Sequence, residues 1–120
     1  NNQYGFEFQY PNNWHIFNRE DNSVLSISNK PIDNNTSIEE PSVGQIFINF
    51  YSFHSAFENG LGVTEFELDD GVPIISDTKY IADSNSFGMV VVYRKLDDAS
   101  TIKTAQSTAD QILSTFKFIK

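Results

Sequence analysis

Apolar and polar residues alternate strictly from Tyr4 to Tyr10, with Tyr4, Phe6, Phe8 and Tyr10 on one face and Gly5, Glu7 and Gln9 on the other. A period of two predicts a half-buried strand. Pro11-Asn12-Asn13 ends it, because proline fixes φ and asparagine tolerates left-handed backbone. Trp14-His15-Ile16-Phe17 then predicts a second strand, returning as a hairpin. A third strand is expected over 24–29, where Val24, Leu25 and Ile27 sit among serines. From Lys30 to Gly44 the chain is polar, includes Pro31 and Pro41, and reads as a long loop. Residues 45–53 are apolar on both faces through Ile46, Phe47, Ile48, Phe50, Tyr51 and Phe53, as in a central strand covered on both sides.

The pattern breaks over 52–67. Phe53, Phe57 and Leu61 fall at helical spacing, while Gly60 and Gly62 interrupt it. The segment is therefore either a short helix or an irregular turn. Asp69-Asp70-Gly71 is a turn, and 74–81 with 87–95 form a second hairpin around Asp83-Ser84-Asn85-Ser86. The uninterrupted Met89-Val90-Val91-Val92-Tyr93 marks a buried strand, closed by Asp97-Asp98. After Thr104, residues Ala105, Ala109, Ile112, Leu113 and Phe116 follow one face of a 3.6-residue period and predict a helix. Ser107-Thr108-Ala109-Asp110 also matches a capping box. Residues 116–120 alternate again, as a short edge strand. The result is one domain over 1–120 of the α+β class: an antiparallel sheet with a C-terminal helix packed on one face, and on the other either a short second helix or none.

Composition narrows the setting. With 120 residues the chain can bury a core without disulfides or metal, and 11 Phe, 5 Tyr and 1 Trp supply the apolar area. The net charge of −8 repels phosphate backbones and anionic membranes, so nucleic acid is not an expected partner. There is no cysteine, which excludes a disulfide framework, cysteine zinc sites and a thiol nucleophile. No run approaches the roughly 20 apolar residues of a membrane span, so no direct membrane insertion by this stretch is expected. The chain opens at Asn1 without Met, and any signal or anchor is expected upstream of it.

Two segments carry a family resemblance. Tyr4-Gly5-Phe6-Glu7-Phe8-Gln9-Tyr10-Pro11-Asn12-Asn13-Trp14 resembles the aromatic-alternating opening of PsbP-like domains, with its Tyr-Pro, turn and Trp. Ala109-Asp110-Gln111-Ile112-Leu113-Ser114-Thr115-Phe116-Lys117-Phe118 is similar to their closing helix and strand. The likeness covers about twenty residues at the two ends, in the expected order. It implies an α/β/α sandwich, and a family that includes the photosystem II extrinsic protein and bacterial envelope lipoproteins, typically non-enzymatic, extracytoplasmic and acting by docking. The middle of the chain departs from the family pattern, lacking a clear helix between the third and fourth strands. No metal or docking motif of the family is present to transfer.

Candidate chemistry is sparse. His15 and His54 are the two histidines, and His54 with Glu58 could share a metal only on a helix. Two solvated histidines are the simpler reading. Asp69-Asp70 and Asp97-Asp98 could together hold a hard cation, but the DxDxDG spacing of a calcium loop is missing, and turn acids on a wet surface explain them. Glu39-Glu40 and Glu65 with Glu67 lack any sign of an acid–base cleft. Asn34 and Asn35 begin overlapping glycosylation sequons. The stripe Tyr4, Phe6, Phe8, Tyr10 is either a carbohydrate or docking platform or, more simply, the core face of a sheet. Trp14, beside the turn, is the aromatic most expected to be exposed. No catalytic, cofactor-binding or metal residues are assigned. The expected function is a non-catalytic, extracytoplasmic binding or scaffold module that docks a protein partner, monomeric in isolation, without cofactor and anchored at a cell envelope. The alternative is a small-ligand or lipid-binding domain.

Overall fold

The computed structural model describes residues 6–18, 23–32, 37, 40–51, 62–80 and 88–118. Within these, eight strands and one helix follow in the order β1 (Phe6–Glu7), β2 (His15–Asn18), β3 (Ser23–Ser28), β4 (Ile46–Tyr51), β5 (Gly62–Glu67), β6 (Pro73–Tyr80), β7 (Gly88–Arg94), α1 (Ala99–Thr115) and β8 (Lys117–Phe118). Six strands form one antiparallel sheet in the order β2-β3-β4-β7-β6-β5, and β1 pairs with β8 in a separate two-stranded ribbon. The class is α+β, as expected, with the C-terminal helix on one face.

Strand parity divides the sheet. On the helix-covered face stand Leu25 and Ile27 of β3, Ile46, Ile48 and Phe50 of β4, and Met89, Val91 and Tyr93 of β7. They pack under Ala105, Ala109 and Ile112 of α1. Alanines at i and i+4 let the helix axis settle close to the strands, and Ile102, Leu113 and Phe116 extend the same stripe. The opposite face has Phe47, Val90, Val92 and Ile74, against which Ile32, Tyr51, Leu68 and Val72 pack. Both faces of β4 are therefore buried, as its two-sided apolar run predicts.

The β6–β7 hairpin and the two-sided central strand agree with the sequence reading. Four expectations are corrected. The strand around Phe8 is short and does not pair with β2; β1 pairs instead with β8, carrying the N-terminal segment to the end of α1, where the Gln9 amide donates to Thr115 Oγ1 at 2.8 Å. Residues 62–67, read within an irregular or helical stretch, form β5. Helix α1 starts at Ala99, not after Thr104 as expected: Asp98 is its cap, accepting from the Thr101 amide at 2.8 Å, and the first two turns are mostly polar. Trp14 is buried, only 8% exposed, because a turn closed by its own amide on the Pro11 carbonyl (3.0 Å) places it in the helix-side core. Of the 52–67 stretch that offered a short second helix, 62–67 is strand β5 and 52–61 lies outside the described residues.

The cap makes a pH prediction. The Thr101 amide first, and then the Thr101 and Ser100 hydroxyls, hold the Asp98 carboxyl below its ordinary 3.8. A depressed carboxylate adds stability above its unfolded value, and this is lost as pH falls through the folded one. Asp98→Ala should thus lower the melting temperature at neutral pH, with the gap to the parent closing below about pH 4. Thermal melts of both proteins across pH 2–7 check it, and a gap unchanged at low pH would contradict it.

Candidate functional site

One end of the sheet is tied by side chains. Asn29, just past β3, accepts from the Ile46 amide through Oδ1 and donates through Nδ2 to the Gly44 carbonyl, both at 2.9 Å. Ser42 to Gln45 is a turn closed at 2.9 Å with Gly44 at φ 74°, a left-handed position that glycine accepts without strain. The Gly44 amide donates to both carboxylate oxygens of Asp97, and Arg94 Nε donates to the Pro41 carbonyl at 2.8 Å. These bonds fasten the start of β4 to the end of β7.

From this rigid frame β5 projects as the last strand of the sheet. Its side chains from Val63 to Glu67 are exposed on both faces, including Val63 at 65% and Phe66 at 39%. The hairpin to β6 sets which backbone groups are used. The Leu68 amide donates to the Val72 carbonyl at 2.9 Å and the Gly71 amide to the Leu68 carbonyl at 2.8 Å, a three-residue loop with Gly71 at φ 85°. Hydrogen-bonded pairs alternate in an antiparallel ladder, so residues 62, 64, 66 and 68 turn toward β6. The amides and carbonyls of Val63, Glu65 and Glu67 point out of the sheet. The Lys95 amide donating to the Pro73 carbonyl confirms this phase, since odd positions of β6 face β7. The Val63, Glu65 and Glu67 side chains share the helix-covered side, and Glu65 pairs with Lys95 Nζ at 2.9 Å.

The sequence candidates are scattered over this frame. His15 is exposed on β2, at the far edge. Asp69 and Asp70 are exposed in the β5–β6 turn, where Asp70 accepts from the Val72 amide at 3.2 Å. Asp97 and Asp98 are used as described, on Gly44 and as a helix cap. Glu40 is exposed. His54, Glu58, Glu39 and the sequon residues Asn34 and Asn35 lie outside the described residues. Among the described residues, no three His, Asp or Glu side chains are grouped to hold a metal ion. The aromatic stripe is core where it is described: Phe8 stacks on Phe50 with ring centres 5.0 Å apart and on Phe116 at 6.0 Å, with Tyr10 beside it at 5.8 Å. Tyr93 stands at the seam of α1 and β7. Burial first, then the Asp77 charge, push its hydroxyl above the ordinary 10.0, against a hydrogen bond with Gln106.

The open edge was missed because Gly60 and Gly62 masked it. The signal was the Asp69-Asp70-Gly71 loop, which a hairpin needs, set between Phe66 and the β-branched Val72 and Ile74. No described helix is long and apolar enough to cross a membrane. The fold and edge together define an α+β domain in which, among the described residues, no strand pairs with the outer edge of β5. Set against protein-family models, curated proteins and solved structures, the chain matches none of them.

Proposed function

We propose that this is a PsbP-like, non-catalytic binding module presented outside the cytoplasm at a cell envelope, where it docks a protein partner and is itself monomeric. The observation that carries the reading is β5, an edge strand of six residues whose side chains from Val63 to Glu67 are exposed on both faces of the sheet. Solvent-exposed edge strands template pairing with other chains, and proteins use them for recognition. The resemblance at the two chain ends supports the family and the compartment.

A photo-crosslinking side chain at Val63 or Phe66 of the native gene product tests the reading in cells, with Lys103 on the exposed side of α1 as control. A discrete protein adduct from the edge positions, absent from the control and accessible to protease outside intact cells, is expected. Identical adducts at every position, or none from the edge, would overturn it. A second reading, a small-ligand-binding domain, has one observation in its favour. Ser26 and Asn49, both fully buried, stand opposite each other on β3 and β4, on the face away from α1. Native mass spectrometry showing a co-purifying small molecule would favour it.

A further inference from the structure

We propose that β5 accepts an extended, cationic segment of the partner as a seventh strand of the sheet. The inference rests on the docking reading and specifies its mode and chemistry. Three outward amides and three outward carbonyls, at Val63, Glu65 and Glu67, follow from the hairpin phase. Among the described residues they meet no partner. A strand laid along them continues the antiparallel ladder, with hydrogen bonds supplying affinity and alternate side chains supplying choice.

The exposed side chains define that choice. On the helix-covered side the edge presents Val63, Glu65 and Glu67, and the turn adds Asp69 and Asp70. Against these acids stands Lys95, bonded to Glu65; among the described residues no cation pairs with Glu67. The opposite side presents Thr64 and Phe66. An antiparallel strand with cations beside Glu67 and Glu65, an apolar residue beside Phe66 and another beside Val63 satisfies every position. Read from its N-terminus this is Lys-Val-Lys-Thr-Val. A second copy is the poorer occupant. Pairing two β5 strands with the same sheet face up sets acids of one copy beside acids of the other, and like charges directly opposite are unfavourable. The net charge of −8 on each chain adds to that repulsion.

The test is amide exchange and chemical-shift mapping on the isotopically labelled protein, titrated with a blocked peptide containing Lys-Val-Lys-Thr-Val. The expected result is slowed exchange at Val63, Glu65 and Glu67, about tenfold at nine-tenths occupancy, because only the free fraction exchanges. The amides of 64 and 66, already turned to β6, should change little. N-methylation of the peptide at the positions facing β5 should abolish binding. E67K should weaken it roughly two- to fivefold, the size of one cross-strand charge pair, while E40K, on an exposed acid away from the edge, should leave it unchanged.

Binding that survives N-methylation would show charge attraction alone and overturn strand addition, as would the absence of any change at these amides. Protection of the same amides with rising protein concentration and no peptide would assign the edge to a second copy and overturn the cationic occupant. Crosslinks from Val63 and Phe66 in cells do not depend on the pairing mode. They would persist if docking holds and strand addition fails, and vanish if docking itself fails.

Discussion

Phe50→Ala is expected to destabilise the protein by about 4 kcal/mol, the usual cost of emptying a fully buried phenylalanine site. Phe50 is wholly buried in the middle of the helix-side core. Its ring forms a stacked triangle with Phe8 at 5.0 Å and Phe116 at 6.4 Å. Truncation leaves a cavity and also removes two stacked pairs, each worth around 0.5–1.5 kcal/mol. Those two partners come from the N-terminal segment and from the residue following α1, so the loss also loosens the seam closing the chain ends onto the sheet. Against a total stability of roughly 5–15 kcal/mol for a domain, the melting temperature should fall by roughly 10–20 °C. Val63→Ala, on the exposed edge, should change stability by under about 0.5 kcal/mol. Chemical denaturation of the two variants provides the comparison. Near-equal losses would mean that the aromatic seam is not where stability is concentrated.

Asn29→Ala should cost about 2–3 kcal/mol, mostly from what it leaves behind. The Asn29 amide closes two bonds at 2.9 Å, taking the Ile46 amide and giving to the Gly44 carbonyl. Ile46 is fully buried at the start of the central strand, so its backbone donor would be stranded. Loss of the donor to Gly44 also frees the turn that Asp97 holds from the other side. Asn29→Asp retains an acceptor for the Ile46 amide but sets a carboxylate against the Gly44 carbonyl, so part of the loss should remain. Hydrogen exchange at the Ile46 amide separates the cases. It should quicken strongly in Asn29→Ala and weakly in Asn29→Asp, whereas unchanged exchange in both would show that Asn29 is not the tie.

The strands that bury both faces, β4 and β7, are the ones readable from residue order alone, because uninterrupted runs of large apolar residues have few other solutions. Helix α1 is legible where its apolar stripe is dense, from Ala105 to Phe116, and hard to read in its first two turns, where Ile102 is the stripe's one large apolar residue. There the helix is set by the Asp98 cap and by continuation of the backbone ladder, neither of which leaves an apolar period. Strand β5 fails for the opposite reason. An edge strand with both faces in water needs no hydrophobic alternation, so its signal shrinks to the turn that follows it. The candidate site lies on that strand, and its legibility was correspondingly poor.

Residue order by itself determined the class of fold, the central strands, the position of the C-terminal helix and the acidic field around the domain. These depend on local periodicity and on a sum of charges, which neighbours in space do not alter. Tertiary structure decided the rest. It paired β1 with β8 instead of β2, turned Trp14 inward, gave Asp97 and Asp98 to a turn and a helix cap, and left the backbone of Val63, Glu65 and Glu67 facing out. Each of those outcomes depends on which strand lies beside which, and on the phase of the hydrogen bonds between them. That is information carried by long-range pairing, which no local pattern in the chain encodes.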